Sequence, residues 1–228
     1  MDDENIFLSV SWAKASKGKA AAGKEGIENM RKMIFATGNE NKMVEIREIL
    51  GDLPLEIQSM KEAGVYADVV ENGSTFEENA LIKARAICKL AGQMVLADDS
   101  GLEIDYLNKE PGIYSARYMG EDTSYRIKNQ NLIQRLEGVP DEKRTARFVC
   151  AIAAVFPDGR EFVVRGTIEG RIGYEERGEN GFGYDPIFYL PERGMTTAEL
   201  PPEEKNLISH RGVALRKMKE ILEKEEIL

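Results

Sequence analysis

Cysteine, histidine and tryptophan are scarce in this chain: its 228 residues hold two, one and one of them. Two cysteines, Cys88 in a helix-like stretch and Cys150 in a strand-like one, can build neither a disulfide scaffold nor a thiolate metal centre, so both read as reduced core residues. Basic charge is also in deficit. The 31 Lys and Arg against 40 Asp and Glu give a formal net charge of -9, and an acidic surface repels phosphate backbones, which argues against nucleic acid as a partner. Long apolar runs are missing too. None approaches bilayer length, and the opening Ile6-Phe7-Leu8 is short and preceded by Asp2, Asp3 and Glu4. The expectation is a cytoplasmic protein with no membrane partner. What is present, 42% hydrophobic residues, suffices for the core of one compact unit.

Residues 1–29 alternate lysines with Ala, Ser and Gly and carry no sustained apolar period, which reads as a flexible extension ahead of a domain spanning 30–228. From Met33 the pattern changes. Residues 33–36 read as a buried strand, 42–50 as a helix with Met43, Ile46, Ile49 and Leu50 on one face, and 55–57 as a second strand. A β-α-β opening of this kind indicates a layered α/β fold. Ser74 or Thr75 can cap the next helix, Gly92 ends it, and residues 94–97 make a strand that delivers an acidic turn, Asp98-Asp99-Ser100-Gly101, with another strand over 102–106. A helix over 124–136 follows. Strands over 145–156 and 161–168 flank Pro157-Asp158-Gly159 as a hairpin, and the chain is helical again from about Pro202.

Five segments carry chemistry. In Thr37-Gly38-Asn39-Glu40-Asn41-Lys42, at a strand-to-helix junction, a glycine permits close approach, helix-start N–H groups attract anions and Lys42 adds charge, which suits a polyphosphate. The spacing is not that of a Walker loop, and an ordinary capped turn would look similar. Adjacent carboxylates in the acidic turn can hold a hard cation and leave one free to deprotonate water; Asp99 fits both roles, against the alternative of a solvated β-turn. If the strand persisted, Asp98 and Asp99 would point to opposite faces and do different jobs. Glu71 or Glu78 could complete a metal shell, although Glu77 and Glu78 could equally cap their helix, and Lys83 could reach a phosphate or lie on the surface. Glycines around Phe182 would free its ring to stack on a planar base, with Asp185 able to accept from base N–H groups; the rival is an aromatic anchoring its loop. The fifth segment contains the only histidine: His210 and Arg211 are donors suited to a purine carbonyl and Lys205 to phosphate, but a lone His beside Arg is usually surface.

Six motifs occur in one order: Thr37-Gly38-Asn39-x-x-Lys42, Phe76-x-Glu78-Asn79, Ala97-Asp98-Asp99-Ser100-Gly101-Leu102, Pro111-Gly112-x-Tyr114-Ser115-Ala116-Arg117-Tyr118, Phe182-Gly183-Tyr184-Asp185-Pro186-x-Phe188 and Glu204-Lys205-Asn206-x-x-Ser209-His210-Arg211. Together they resemble the inosine triphosphate pyrophosphatase (Ham1-like) family over essentially residues 32–224. The resemblance implies an elongated mixed, twisted β-sheet flanked by helices, in two lobes with the active-site cleft between them, and a homodimer. It implies hydrolysis of ITP, dITP and XTP to the monophosphate and pyrophosphate with Mg²⁺. Carried over by position, Thr37, Gly38, Asn39, Glu40, Asn41 and Lys42 grip the triphosphate, and Glu71 and Asp99 bind the metal, with Asp99 also the proton acceptor. Lys83, Ser100, Phe182, Gly183, Tyr184, Asp185, Lys205, His210 and Arg211 line the substrate site. A related pyrophosphatase of the Maf-like group, with a Ser- and Arg-rich opening motif, and a catalytically silent nucleotide binder are the rivals; Thr37-Gly38-Asn39 speaks against the first and the retained Asp99 against the second.

Overall fold

The computed structural model describes residues 6–7 and 31–224. The first strand, β1 (Ile6–Phe7), pairs antiparallel with β4 (Asp68–Val69); the rest of the expected extension over 1–29 lies outside the described residues.

A seven-stranded mixed sheet runs through the molecule. Its strands are β2 (Arg31–Phe35), β3 (Leu55–Ser59), β5 (Met94–Ile104), β6 (Thr145–Val155), β7 (Glu161–Ile172), β8 (Phe188–Leu190) and β9 (Met195–Thr196), in the order β3-β2-β5-β6-β7-β8-β9. The first three are parallel and the rest antiparallel. Helix α1 (Glu40–Leu50) crosses from β2 to β3 on one face, burying Met43, Ile46 and Leu50 beside Leu215, Met218 and Leu222 of α5 (His210–Lys224). Helix α2 (Phe76–Ala91) covers the opposite face with Phe76, Ala80, Ala84 and Ile87. A separate core around Leu102, Leu132, Phe148, Ile187 and Phe188 joins the far halves of β5 and β6 to β8 and to α3 (Tyr125–Arg135). These cores make two lobes, and the cleft lies between them.

The caps explain the boundaries. Asn39 caps α1, its side chain accepting from the N–H groups of Asn41 and Lys42, so the helix begins at Glu40, two residues before the expected start. Thr75 caps α2 by accepting from Glu78 N–H at 3.1 Å, while the Glu78 carboxylate reaches back to Ser74 N–H at 2.6 Å. Gly92 closes α2 in the left-handed region at φ 63°. The hairpin at Pro157-Asp158-Gly159 forms as its residues dictate, with Gly159 at φ 90°.

One expectation fails, for a tertiary reason. Asp98-Asp99-Ser100-Gly101 is not a turn between two strands: β5 runs unbroken from Met94 to Ile104, with Asp98 opposite Ile152, Asp99 opposite Ala151 and Ser100 opposite Cys150. The local turn preference of Asp, Ser and Gly loses to the backbone pairing offered by β6, an apolar strand buried from Phe148 to Val155. The C-terminal stretch is helical from Pro202 as expected, in two pieces. Helix α4 (Pro202–Ile208) ends at Ser209, whose ψ of 153° breaks the run and whose hydroxyl accepts from Gly212 N–H at 3.0 Å to start α5.

Candidate functional site

The site lies where the sheet changes hands. Strand β2 stops pairing with β5 at Phe35 and Leu96, apart from one further bond from Ala36 N–H to the Leu96 carbonyl at 2.7 Å. Beyond that point β5 keeps β6 on one side, and its other edge opens into a crevice between α1, which left β2 on one face, and α2, which returned on the other. Open α/β sheets bind ligands at such switch points, outside the carboxyl ends of parallel strands.

Because Asp98 and Asp99 are successive strand residues, they project to opposite faces at this open edge, as their alternation requires. Asp98, fully buried, accepts from the Lys42 ammonium of α1 at 2.8 Å and from the Ser100 hydroxyl at 3.0 Å, with Arg211 Nε at 3.7 Å. Burial alone would raise its pKa, but the charges of Lys42, Arg211 and Lys83 outweigh burial and hold its carboxyl well below the usual carboxylate range. Asp99 faces α2, where it accepts from Asn79 Nδ2 at 3.0 Å and from Ser100 N–H at 3.0 Å. Burial and the nearby Glu71 charge, against the Asn79 hydrogen bond, push its pKa up to about 6. Lys83 of α2 sits 2.7 Å from Glu71 and donates to the Asp98 carbonyl at 2.9 Å, so it ties the two faces together. Burial would lower the Lys83 pKa; the Asp98 and Glu71 charges raise it, and it stays a cation.

On the α1 and α5 side, a cleft of about 260 Å³ is lined by Thr37, Gly38, Asn39, Lys42, Ser100, Phe182, Gly183, Tyr184, Asp185, Lys205, His210 and Arg211 among others. Twelve of the residues expected at the site are thus brought together here. Glu71, Lys83 and Asp99 stand on the other face of the same strand edge. Glu40 instead lines a neighbouring cavity of about 680 Å³ that shares Thr37 and Gly38 with the cleft, and Asn41 lines neither. A Cβ on Gly38 would point into open space, which leaves the loop able to approach a ligand closely. Within that loop the N–H groups of Asn39, Asn41 and Lys42 are already taken by Thr37 and Asn39 side chains. Those of Gly38 and Glu40 have no partner among the described residues.

The expected base-facing segments differ from their surface reading. His210 and Arg211 are buried in the first turn of α5, against Gly166 of β7, where any Cβ would lie 2.2 Å from the His210 carbonyl oxygen. The His210 ring stacks on Phe148 at 4.9 Å between centroids. Burial first, then the charges of Arg211, Lys205 and Lys42, lower its pKa well below the ordinary value, so the imidazole is neutral, and its Nδ1 has no partner among the described residues. Phe182 is half-buried, with the Lys205 ammonium 5.2 Å and the Arg211 guanidinium 5.6 Å from its ring centroid. The Asp185 carboxylate, expected to face a base, is spent on protein donors: Thr197 Oγ1 at 2.8 Å, Phe182 N–H at 2.8 Å and Lys205 Nζ at 2.7 Å. It holds the loop.

Sequence reasoning missed Glu45, which accepts from Arg211 and lies 3.8 Å from Lys205; its place three residues after Lys42, on the same helix face, was the available signal. Phe148 and Tyr125, which also line the cleft, carried no local signal at all.

The oxygen donors beside Asp99 suit a hard cation. Glu78 is occupied with Ser74 and Glu77 with Arg165 at 3.0 Å, which leaves Glu71, paired with Lys83 at 2.7 Å, as the carboxylate whose charge acts on Asp99. Among the described residues no group of three or more His, Cys, Asp or Glu could enclose a metal. The two carboxylates of Asp99 and Glu71 match what an ion needs that takes one or two carboxylates and fills the rest of its shell with water and phosphate.

The Ham1 family model matches residues 33–221. The chain is 46% identical over 194 residues to the dITP/XTP pyrophosphatase of Bacillus subtilis, covering 85% of this chain and 98% of that one. It is 49% identical over 194 residues to the dITP/XTP pyrophosphatase of Caldanaerobacter subterraneus subsp. tengcongensis, covering 85% and 96%. Among solved structures, a HAM1 protein from Coxiella burnetii superposes with a TM-score of 0.79 at 44% identity, covering 86% of this chain and all of the other.

Proposed function

The chain belongs to the Ham1 family, and on that premise we propose that it hydrolyses dITP, ITP and XTP at the α-phosphorus, releasing the nucleoside monophosphate and pyrophosphate. The observation that carries this reading is the open edge of β5, which has Asp99 with Glu71 and Lys83 on one face and, on the other, Lys42 in a cleft walled by Phe182, His210 and Arg211.

In this reading the loop 37–42 and Lys42 hold the phosphates from the α1 side, and Lys83 and Lys205 add positive charge. Asp99 orients water and accepts its proton as the water oxygen bonds to the α-phosphorus. The bond from that phosphorus to the bridging oxygen breaks, and the electron pair leaves with pyrophosphate. Mg²⁺ held by Glu71 and Asp99 would neutralise phosphate charge and stabilise the leaving group. For the base, the ring of Phe182 offers a stacking face while Arg211 and the neutral His210 offer N–H donors to a 6-oxo group. Adenine would put an amino group there and leave donors unpaired, at about 1–3 kcal/mol for each buried one.

The catalytic unit is residues 30–228, and the working protein is a cytoplasmic homodimer, which light scattering of the purified protein tests. The decisive experiment incubates the protein with Mg²⁺ and dITP, ITP, XTP, ATP or GTP and measures monophosphate, pyrophosphate and orthophosphate. Equal turnover of ATP and ITP would sink the specificity claim. Release of orthophosphate in place of pyrophosphate would refute attack at the α-phosphorus, and binding without turnover would indicate a nucleotide sensor.

A further inference from the structure

The segment that carries Phe182 has no strand or helix of its own until the short turn Asp185–Ile187, yet its ring must be held in place to serve as a stacking face. What holds it is Asp185, 3% exposed. Its Oδ2 accepts from the Phe182 N–H and from the Lys205 ammonium at 2.8 and 2.7 Å, so one oxygen sets both the start of the aromatic residue and the cation near its ring. The other oxygen, Oδ1, accepts from the Thr197 hydroxyl at 2.8 Å. Thr197 is 2% exposed and stands outside the cleft lining. It is also rigidly placed, since it opens the single turn Thr197–Glu199, which Thr196 and Glu199 close with a reciprocal capping box.

We propose that Thr197 is a positioning residue for nucleotide recognition, acting through Asp185 to fix Phe182 and Lys205. Without the hydroxyl, Oδ1 is buried with no donor, and the carboxylate is free to turn. Either outcome loosens the bonds that Oδ2 makes to Phe182 and Lys205. Chemistry at Asp99, on the far side of β5, is untouched. The effect therefore falls on substrate binding rather than on the chemical step. This inference rests on Phe182 and Lys205 facing the nucleotide.

The test compares Thr197→Val, nearly the same shape without the hydroxyl, with Thr197→Ser, which keeps it, and with Phe182→Ala as the control for the underlying reading. Steady-state kinetics with ITP are expected to show KM raised about tenfold in Thr197→Val, the loss typical of one hydrogen bond to a charged group, with kcat within about twofold. The ITP-over-ATP preference falls with it, and Thr197→Ser stays near wild type. Should the valine protein fail to fold, Thr197→Ala takes its place against the serine protein. If Phe182→Ala raises KM while the hydroxyl-free variants do not, or if serine is as impaired as valine, the role assigned to Thr197 is wrong. If Phe182→Ala leaves KM unchanged, the nucleotide-facing reading fails and this inference falls with it.

Discussion

Replacing Asp99 by asparagine is expected to stop turnover and, in the absence of metal, to make the protein more stable. Asp99 is 9% exposed, and its pKa is pushed from 3.8 up to about 6, chiefly by burial, with the Glu71 charge adding to it. Between pH 3.8 and about 6 the folded chain keeps a proton that the unfolded chain has released. Stability therefore falls as pH rises through this window, and above it the whole cost of the buried charge is present. The gap corresponds to about 3 kcal/mol. Asparagine has the same shape and no charge, but its one amide oxygen cannot satisfy both Asn79 Nδ2 and Ser100 N–H, each at 3.0 Å. Leaving one buried donor unpaired costs about 1–3 kcal/mol, so the gain is at most about 2 kcal/mol, or roughly 4–8 °C in Tm for a chain of this size. Thermal unfolding in chelator, from about pH 4 to about pH 8, should show the variant drawing ahead of wild type as pH rises. Added Mg²⁺ should narrow the difference by stabilising wild type alone, while ITP hydrolysis by the variant falls at least about a hundredfold. A stability difference between variant and wild type that does not change with pH would refute the reasoning.

Gly166→Ala should impair activity by displacing the start of α5. The new Cβ would lie 2.2 Å from the His210 carbonyl oxygen and 2.6 Å from Ala214 N, both backbone atoms that can yield only if the start of α5 shifts. The expectation is a stability loss of about 1–3 kcal/mol and a raised KM for ITP, and normal kinetics would show that α5 need not sit where it does. Arg144→Met tests a buried cation that has no part in the chemistry: its guanidinium donates to the carbonyls of Leu136, Ile172 and Gly173 at 2.7, 2.8 and 2.6 Å. Leaving those acceptors unmet should cost at least about 3 kcal/mol in urea denaturation with little change in KM, and an unaltered midpoint would contradict it. Removal of residues 1–29 should leave kcat and KM for ITP within about twofold of the full chain, because the proposed nucleotide contacts all begin at Thr37; a large loss would place part of the site in the extension.

Some of this protein could be read from residues alone because the forces involved are local. The side chains of Asn39 and Thr75 cap their helices by accepting from backbone N–H groups two or three residues away, Gly92 ends α2 because only glycine takes its left-handed backbone without strain, and Pro157-Asp158-Gly159 turns a hairpin. The opposite faces of Asp98 and Asp99 follow from strand alternation once the strand is granted.

The rest needed partners distant in sequence. Whether Asp98-Asp99-Ser100-Gly101 turned or ran straight was decided by β6, about fifty residues on, whose ladder outweighs local turn preference. His210 and Arg211 are buried because Gly166 admits the first turn of α5, and Asp185 clasps its loop because Thr197 and Lys205 arrive from separate segments. Order along the chain thus determined which residues the protein has for binding a nucleotide. Only the folded sheet, ending β2 at Phe35 and leaving the edge of β5 open, decided that Asp98 would face the cations of α1 and α5 while Asp99 was left, partly desolvated beside Glu71, as the carboxylate able to take a proton.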